Sequence, residues 1–194
     1  MKSICIYCGA NEGNSPLYAE SAELCGRILA SRDLTLIYGG GNIGLMGRVA
    51  DAALEANGKV IGVIPEALMN LELGHKGVTE LIVVNSMHDR KQRMADLADG
   101  FIALPGGIGT LEELIEVFTW LQLNFHHKPV GLLNVGNYYA PLIALLKHME
   151  DEGFLLPSQH EMLLVDDNID QLLDRMKNFE RPQADKWVSR RSEI

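Results

Sequence analysis

Short apolar runs alternate with longer amphipathic ones from one end of the chain to the other. The apolar runs are Ser3–Cys8, Leu34–Tyr38, Val60–Ile64, Leu81–Val84, Phe101–Leu104, Val130–Asn134 and Met162–Val165. Most are continuous rather than alternating, which is how a strand covered on both faces reads. Between them the spacing predicts helices over Pro16–Ser31, Leu45–Asn57, Met87–Ala98, Leu111–Phe125, Tyr138–Glu152 and Ile169–Phe179. This rhythm predicts an α/β fold: a doubly wound, mostly parallel sheet of about seven strands with helices on both faces. Residues 1–180 read as one domain and 181–194 as a loose, polar C-terminal tail.

Composition narrows the class. The chain has 194 residues, enough for one domain with a substantial core. A net charge of −9 argues against non-specific binding to nucleic acid or to an anionic membrane, both of which need a basic surface. No apolar run approaches the roughly 20 residues of a membrane span. Three cysteines (Cys5, Cys8 and Cys25) and an N-terminus without a secretory pattern lead us to expect a cytoplasmic protein. Cys5 and Cys8 are three apart on one strand and so face opposite sides of the sheet, which speaks against a disulfide or a shared metal. The histidines, including the His126-His127 pair, lack metal-ligand spacing. We expect neither a metal nor a cofactor.

Ligands of open α/β sheets sit beyond the carboxyl ends of the strands. Two glycine-rich loops follow strands here. Gly39-Gly40-Gly41-Asn42-Ile43-Gly44 runs into a helix, and Gly40, Gly41 and Gly44 are candidates for a phosphate loop. Pro105-Gly106-Gly107-Ile108-Gly109-Thr110 repeats the arrangement after the fifth strand. Neither is followed by the Lys-Ser/Thr of a nucleoside triphosphate loop. The first also fits a dinucleotide fingerprint, with Glu66 near the position of the acidic residue. The rest of a hydride-transfer site is not evident.

The densest positive charge is Arg90-Lys91-x-Arg93, which opens the helix after the fourth strand. Arg90 shares a stripe with Met87, Met94 and Leu97 and should therefore be buried against an anion. Arg93 falls on the solvent side. Thr110-Leu111-Glu112-Glu113 has the form of a capping box, so Glu113 has a local alternative to chemistry. On the helical wheel, Leu111, Leu114, Ile115, Phe118, Leu121 and Phe125 form the expected core stripe. Glu113, Val117, Trp120 and Asn124 form a second stripe, read as a homodimer surface with Glu113 at its edge.

The run Pro105-Gly106-Gly107-Ile108-Gly109-Thr110-Leu111-Glu112-Glu113 resembles the PGGxGTxxE signature of the LONELY GUY family, the cytokinin riboside 5'-monophosphate phosphoribohydrolases, and Met87-His88-Asp89-Arg90-Lys91 resembles its second signature. The likeness extends to about Phe179. The resemblance implies a Rossmann-like fold, an obligate dimer with the active site near the interface, and catalysis by Arg90 and Glu113. It implies substrate contacts at Glu72, Arg90, Lys91, Gly107, Ile108, Gly109, Thr110, Leu111, Glu112, Glu113 and Thr119. The expected reaction is hydrolysis of the N-glycosidic bond of a nucleoside 5'-monophosphate, either N6-modified adenine of cytokinin type or AMP, as in an AMP nucleosidase. Arg90 has three open roles: holding Glu113 ionised, contacting the sugar or phosphate, or assisting the leaving base. The alternative is a non-catalytic nucleotide or molybdenum-cofactor carrier of the same fold. Members of the family have also been labelled lysine decarboxylases, but no pyridoxal-phosphate lysine with a pyridinium partner is evident.

Overall fold

A computed structural model describes residues 1–69 and 74–182. Seven parallel strands form one sheet in the order β4-β3-β2-β1-β5-β6-β7. They are β1 (Ser3–Tyr7), β2 (Thr35–Tyr38), β3 (Val60–Pro65), β4 (Glu80–Val84), β5 (Phe101–Ala103), β6 (Val130–Leu133) and β7 (Leu163–Asp166). The helices are α1 (Pro16–Ser31), α2 (Gly44–Glu55), α3 (Met87–Leu97), α4 (Ile108–Gln122), α5 (Ala140–Asp151), the one-turn α6 (Pro157–His160) and α7 (Ile169–Lys177). The doubly wound α/β architecture is the one the apolar runs predict; α6 is the element they miss, because one turn carries no period.

Alternate strand residues feed two cores. Ile4, Ile6, Leu36 and Tyr38 face α1, α2 and α7, while Cys5, Tyr7, Ile37 and Phe101 face α3, α4 and α5. Cys5 and Cys8 accordingly lie in different cores, and all three cysteines are buried free thiols. No helix among the described residues is long and apolar enough to cross a membrane.

The sequence reading of α4 needs two corrections. The helix begins at Ile108, with Gly107 as a cap that makes no side-chain bond, so Thr110 is its third residue and the capping box with Glu113 does not form. The Gly106-Gly107 pair lets the chain enter the helix sooner than the threonine signal indicates. The buried stripe is also rotated. Leu114, Val117, Phe118 and Leu121 are in the core, at the i, i+3, i+4, i+7 spacing of a face seated on a sheet. Val117 is only 2% exposed, and Trp120 packs half-buried against the same core. Val117 therefore belongs to the core rather than to the expected partner surface, while Trp120 remains partly exposed. Ile115 is exposed, and Phe125 lies beyond the helix end and is exposed too.

At the far end of α4, Arg181 donates to Leu121 O and Gln122 O, at 3.2 and 3.1 Å. These are last-turn carbonyls, and Leu121 O also accepts from Asn124 N–H at 3.2 Å. Arg181 thus holds the start of the expected tail on the domain; residues 183–194 of that tail lie outside the described part.

The corrected phase is testable. Val117→Ala should destabilise the protein by about 2 kcal/mol, and Ile115→Ala by less than about 0.5 kcal/mol, in urea denaturation. Similar losses at both positions would return the helix to the phase read from the sequence.

Candidate active site

The strand order reverses its direction of progress between β1 and β5. The helix after β1 lies on one face and the helix after β5 on the other, so the loops that follow these neighbours part. A cleft of about 520 Å³ opens there. Its walls are the loop Gly9–Gly13 after β1, Pro105–Gly107 after β5, and the start of α4; Arg90 and Gly39 enter from the side. Gly9 N–H donates to Pro105 O at 3.1 Å and stitches the two loops at their root.

The start of α4 presents amides. The Leu111 N–H is the first to find a helical acceptor, Gly107 O, so the preceding first-turn N–H groups have none within the helix. Gly107, at the cap position, brings no side chain to cover them. The space beside Gly107 and Gly109 is open, with nothing within 4 Å of where a Cβ would stand. Such a helix start attracts anions through its amides and the helix dipole together.

Arg90 is set by the first turn of α3. Ser86 caps that helix, accepting from Asp89 N–H at 3.0 Å and donating to Asp89 Oδ2 at 2.8 Å. Arg90 then faces inward and is 6% exposed, while Arg93 is on the solvent side, as the stripe requires. Its guanidinium lies where a side chain on Gly39 would be, so only glycine allows the approach. Its Nε has no hydrogen-bond partner among the described residues. Glu113 lines the same cleft from α4. Both charges reach the thiols beneath. Burial pushes Cys8 well above the ordinary thiol range, the Glu113 carboxylate adds to the rise, and the Arg90 guanidinium opposes it. Cys5 is raised by the same causes. Thiols held protonated in this way are poor nucleophiles.

The predicted site residues fall into groups. Arg90, Gly107, Gly109, Thr110, Glu112 and Glu113 line the cleft. Lys91 lies beside it with its ammonium on Glu112 Oε1 at 2.6 Å and Glu116 Oε1 at 3.0 Å. Leu111 packs half-buried on the core, whereas Ile108 and Thr119 are exposed on α4. Glu72 lies outside the described residues. In the first glycine loop, Gly40 packs on Ile64 and Leu81, Gly41 bridges Gly74, and Gly44 abuts Ala10; of that loop's glycines, Gly39 lines the cleft. Sequence reasoning missed the Gly9–Gly13 loop, Tyr18 and Tyr138, which also line it. The first of these follows β1, and its importance emerges once β1 is known to sit beside β5.

Residues 46–176 match the family described as possible lysine decarboxylase. A cytokinin riboside 5'-monophosphate phosphoribohydrolase of Rhodococcoides fascians is 48% identical over 165 residues, covering 84% of this chain and 83% of that protein. One from Arabidopsis thaliana is 44% identical over 189 residues, covering 97% and 87%. Among solved structures, the molybdenum cofactor binding protein of Rippkaea orientalis superposes with a TM-score of 0.69 at 24% identity, over 92% of this chain and 97% of that one. This last likeness is one of fold.

Gly39→Ala should displace the Arg90 guanidinium and weaken the binding of an anionic ligand in the cleft at least about tenfold, the loss expected when a charge-assisted contact is removed. Combined with Arg90→Ala it should cost no more than Arg90→Ala alone, since both changes remove one interaction. Additive losses in calorimetric titration would show that Gly39 acts in some other way.

Proposed function

The chain belongs to the LONELY GUY family of cytokinin riboside 5'-monophosphate phosphoribohydrolases, and from that membership we propose that it hydrolyses the N-glycosidic bond of a purine nucleoside 5'-monophosphate. The products are the free base and ribose 5-phosphate. The substrate is AMP or its N6-modified, cytokinin-type relatives. The observation that carries this reading is the convergence of Arg90, Glu113 and the glycine-led start of α4 on one cleft.

The chemistry follows from the charges. As the bond between the ribose C1' and the base nitrogen lengthens, positive charge gathers on the sugar ring. The Glu113 carboxylate stabilises that charge and takes a proton from the attacking water. The water oxygen bonds to C1', the electron pair of the broken bond leaves with the base, the base takes a proton from solvent, and Glu113 gives its proton back to solvent, so that one water is consumed. The 5'-phosphate rests on the first-turn amides of α4, which fixes the sugar over Glu113. Arg90, buried and with an unused Nε–H, supplies a fixed donor and positive charge on the same side of the cleft. No lysine lines the cleft among the described residues, which gives no support to decarboxylation through a lysine-bound cofactor. The carrier alternative rests on likeness of fold alone.

We further propose a homodimer. With Val117 in the core and Trp120 packed half-buried against it, the support comes from Ile108 and Ile115 on α4 and Met87 on α3, which are exposed apolar side chains. The free buried thiols fit a reducing compartment, and the cytoplasm is the proposed location.

Purified protein should convert AMP or isopentenyladenosine 5'-monophosphate to free base and ribose 5-phosphate. Glu113→Gln should lower kcat by at least about a hundredfold, the usual scale for a positioned base. The corresponding nucleosides should be poor substrates. Near-full turnover by the folded Glu113→Gln variant would remove this mechanism, and tight AMP binding without products would favour the carrier.

Light scattering at micromolar concentration should give about twice the chain mass of 21.4 kDa. A monomer there would rule out the dimer.

A further inference from the structure

The loop after β5 is tied down at three successive carbonyls by groups from outside it. Leu104 O accepts from the Tyr139 hydroxyl at 2.6 Å. Pro105 O accepts from Gly9 N–H at 3.1 Å. Gly106 O accepts from the Tyr138 hydroxyl at 2.6 Å. Tyr139 is buried, and its backbone N–H is held by Asn134 Oδ1 at 2.8 Å. Tyr138 stands at the mouth of the cleft, its ring edge-on to Tyr139 and to Tyr18, with centroids 4.9 and 5.6 Å away.

These ties bear on the anion site through the geometry of the peptide unit. A trans peptide is planar, with its C=O and N–H on opposite sides, and no bond among the described residues is cis. The hydroxyl that fixes the Gly106 carbonyl therefore also fixes the direction of the Gly107 N–H, and Gly9 does the same for Gly106. The Gly106–Gly107 peptide has a glycine at each end, so nothing local resists its rotation. Rotated, it would offer the cleft a carbonyl where an amide is needed.

We propose that Tyr138 is a positioning residue that keeps the amides of the β5–α4 loop turned to receive the substrate's phosphate, acting through Gly106 and without itself taking part in bond cleavage. This rests on the reading that the phosphate lies at the start of α4. A second tyrosine, Tyr139, does the same for the root of the loop, but it is buried, and its loss would disturb the core.

Tyr138→Phe tests the proposal, because it removes the O–H and leaves the ring against Tyr18. The KM for AMP should rise about fivefold to tenfold, the size a single hydrogen bond carries, with kcat within about twofold. The preference for AMP over adenosine should narrow by the same factor, and inhibition by ribose 5-phosphate should weaken in step. A variant with the wild-type preference, or one that loses both substrates equally, would overturn the proposal alone. A wild-type protein indifferent to the phosphate would overturn it together with the reading it rests on.

Discussion

Neighbouring strands β1 and β5 share a register, with Cys5, Ile6 and Tyr7 beside Phe101, Ile102 and Ala103, yet the chain leaves them toward opposite faces of the sheet. Right-handed crossovers demand this once strands are added outward in both directions from the middle. The two loops cannot pack on each other above the sheet, and the space between them is the cleft. Everything else in the site is placed relative to that opening: α4 starts at its edge, α3 delivers Arg90 from one side, and the Gly9–Pro105 hydrogen bond closes its floor.

A buried arginine is the most expensive feature of this arrangement. Removing a guanidinium from water costs several kcal/mol unless charge or hydrogen bonds replace the lost hydration. Among the described residues Nε has no hydrogen-bond partner, and Nη1 lies 3.9 Å from the Met87 sulfur. Shape contributes to holding the side chain, with Gly39 leaving room for the guanidinium. A group positioned this way before ligand arrives does not have to reorganise as charge develops, which is the condition for effective electrostatic stabilisation.

Much of this was legible in the sequence. Apolar runs located all seven strands; the five inner ones are clearest, because a strand buried on both faces has few polar positions to confuse it, while the edge strands β4 and β7 are only partly buried. The stripe through Met87, Met94 and Leu97 put Arg90 inside, and the glycine loop marked the start of α4. The phase of α4 was not legible. Its residues are apolar on more than one side, and a capping signal at Thr110 competed with a glycine entry that needs no side chain at all. The first glycine loop looked like the second, yet its glycines at 40 and 44 are occupied by close packing on Ile64, Leu81 and Ala10. A glycine that admits a ligand and one that admits a neighbouring backbone read alike. The tyrosines escaped for another reason: their hydroxyls act on backbone carbonyls more than 30 residues away, and no local spacing encodes that.

An acidic chain that receives a phosphate has to find positive potential somewhere. Cationic side chains supply little of it here. Arg32, Arg48, Lys91, Lys147 and Arg175 are each engaged with carboxylates, and exposed pairs of this kind add little beyond local neutralisation. Near the cleft the cation is Arg90, and Lys91 beside it is already shared between Glu112 and Glu116. On the proposed placement of the phosphate, the potential that remains comes from oriented peptide dipoles, and these are only as good as their orientation. A lysine can follow a misplaced phosphate; an amide on a glycine-rich loop cannot do so without turning its carbonyl inward. Recognition by backbone therefore transfers the demand for precision from the ligand-facing groups to whatever holds their carbonyls. In this fold that is the ring of donors behind the loop: one amide from β1's loop and two tyrosine hydroxyls from the segment after β6.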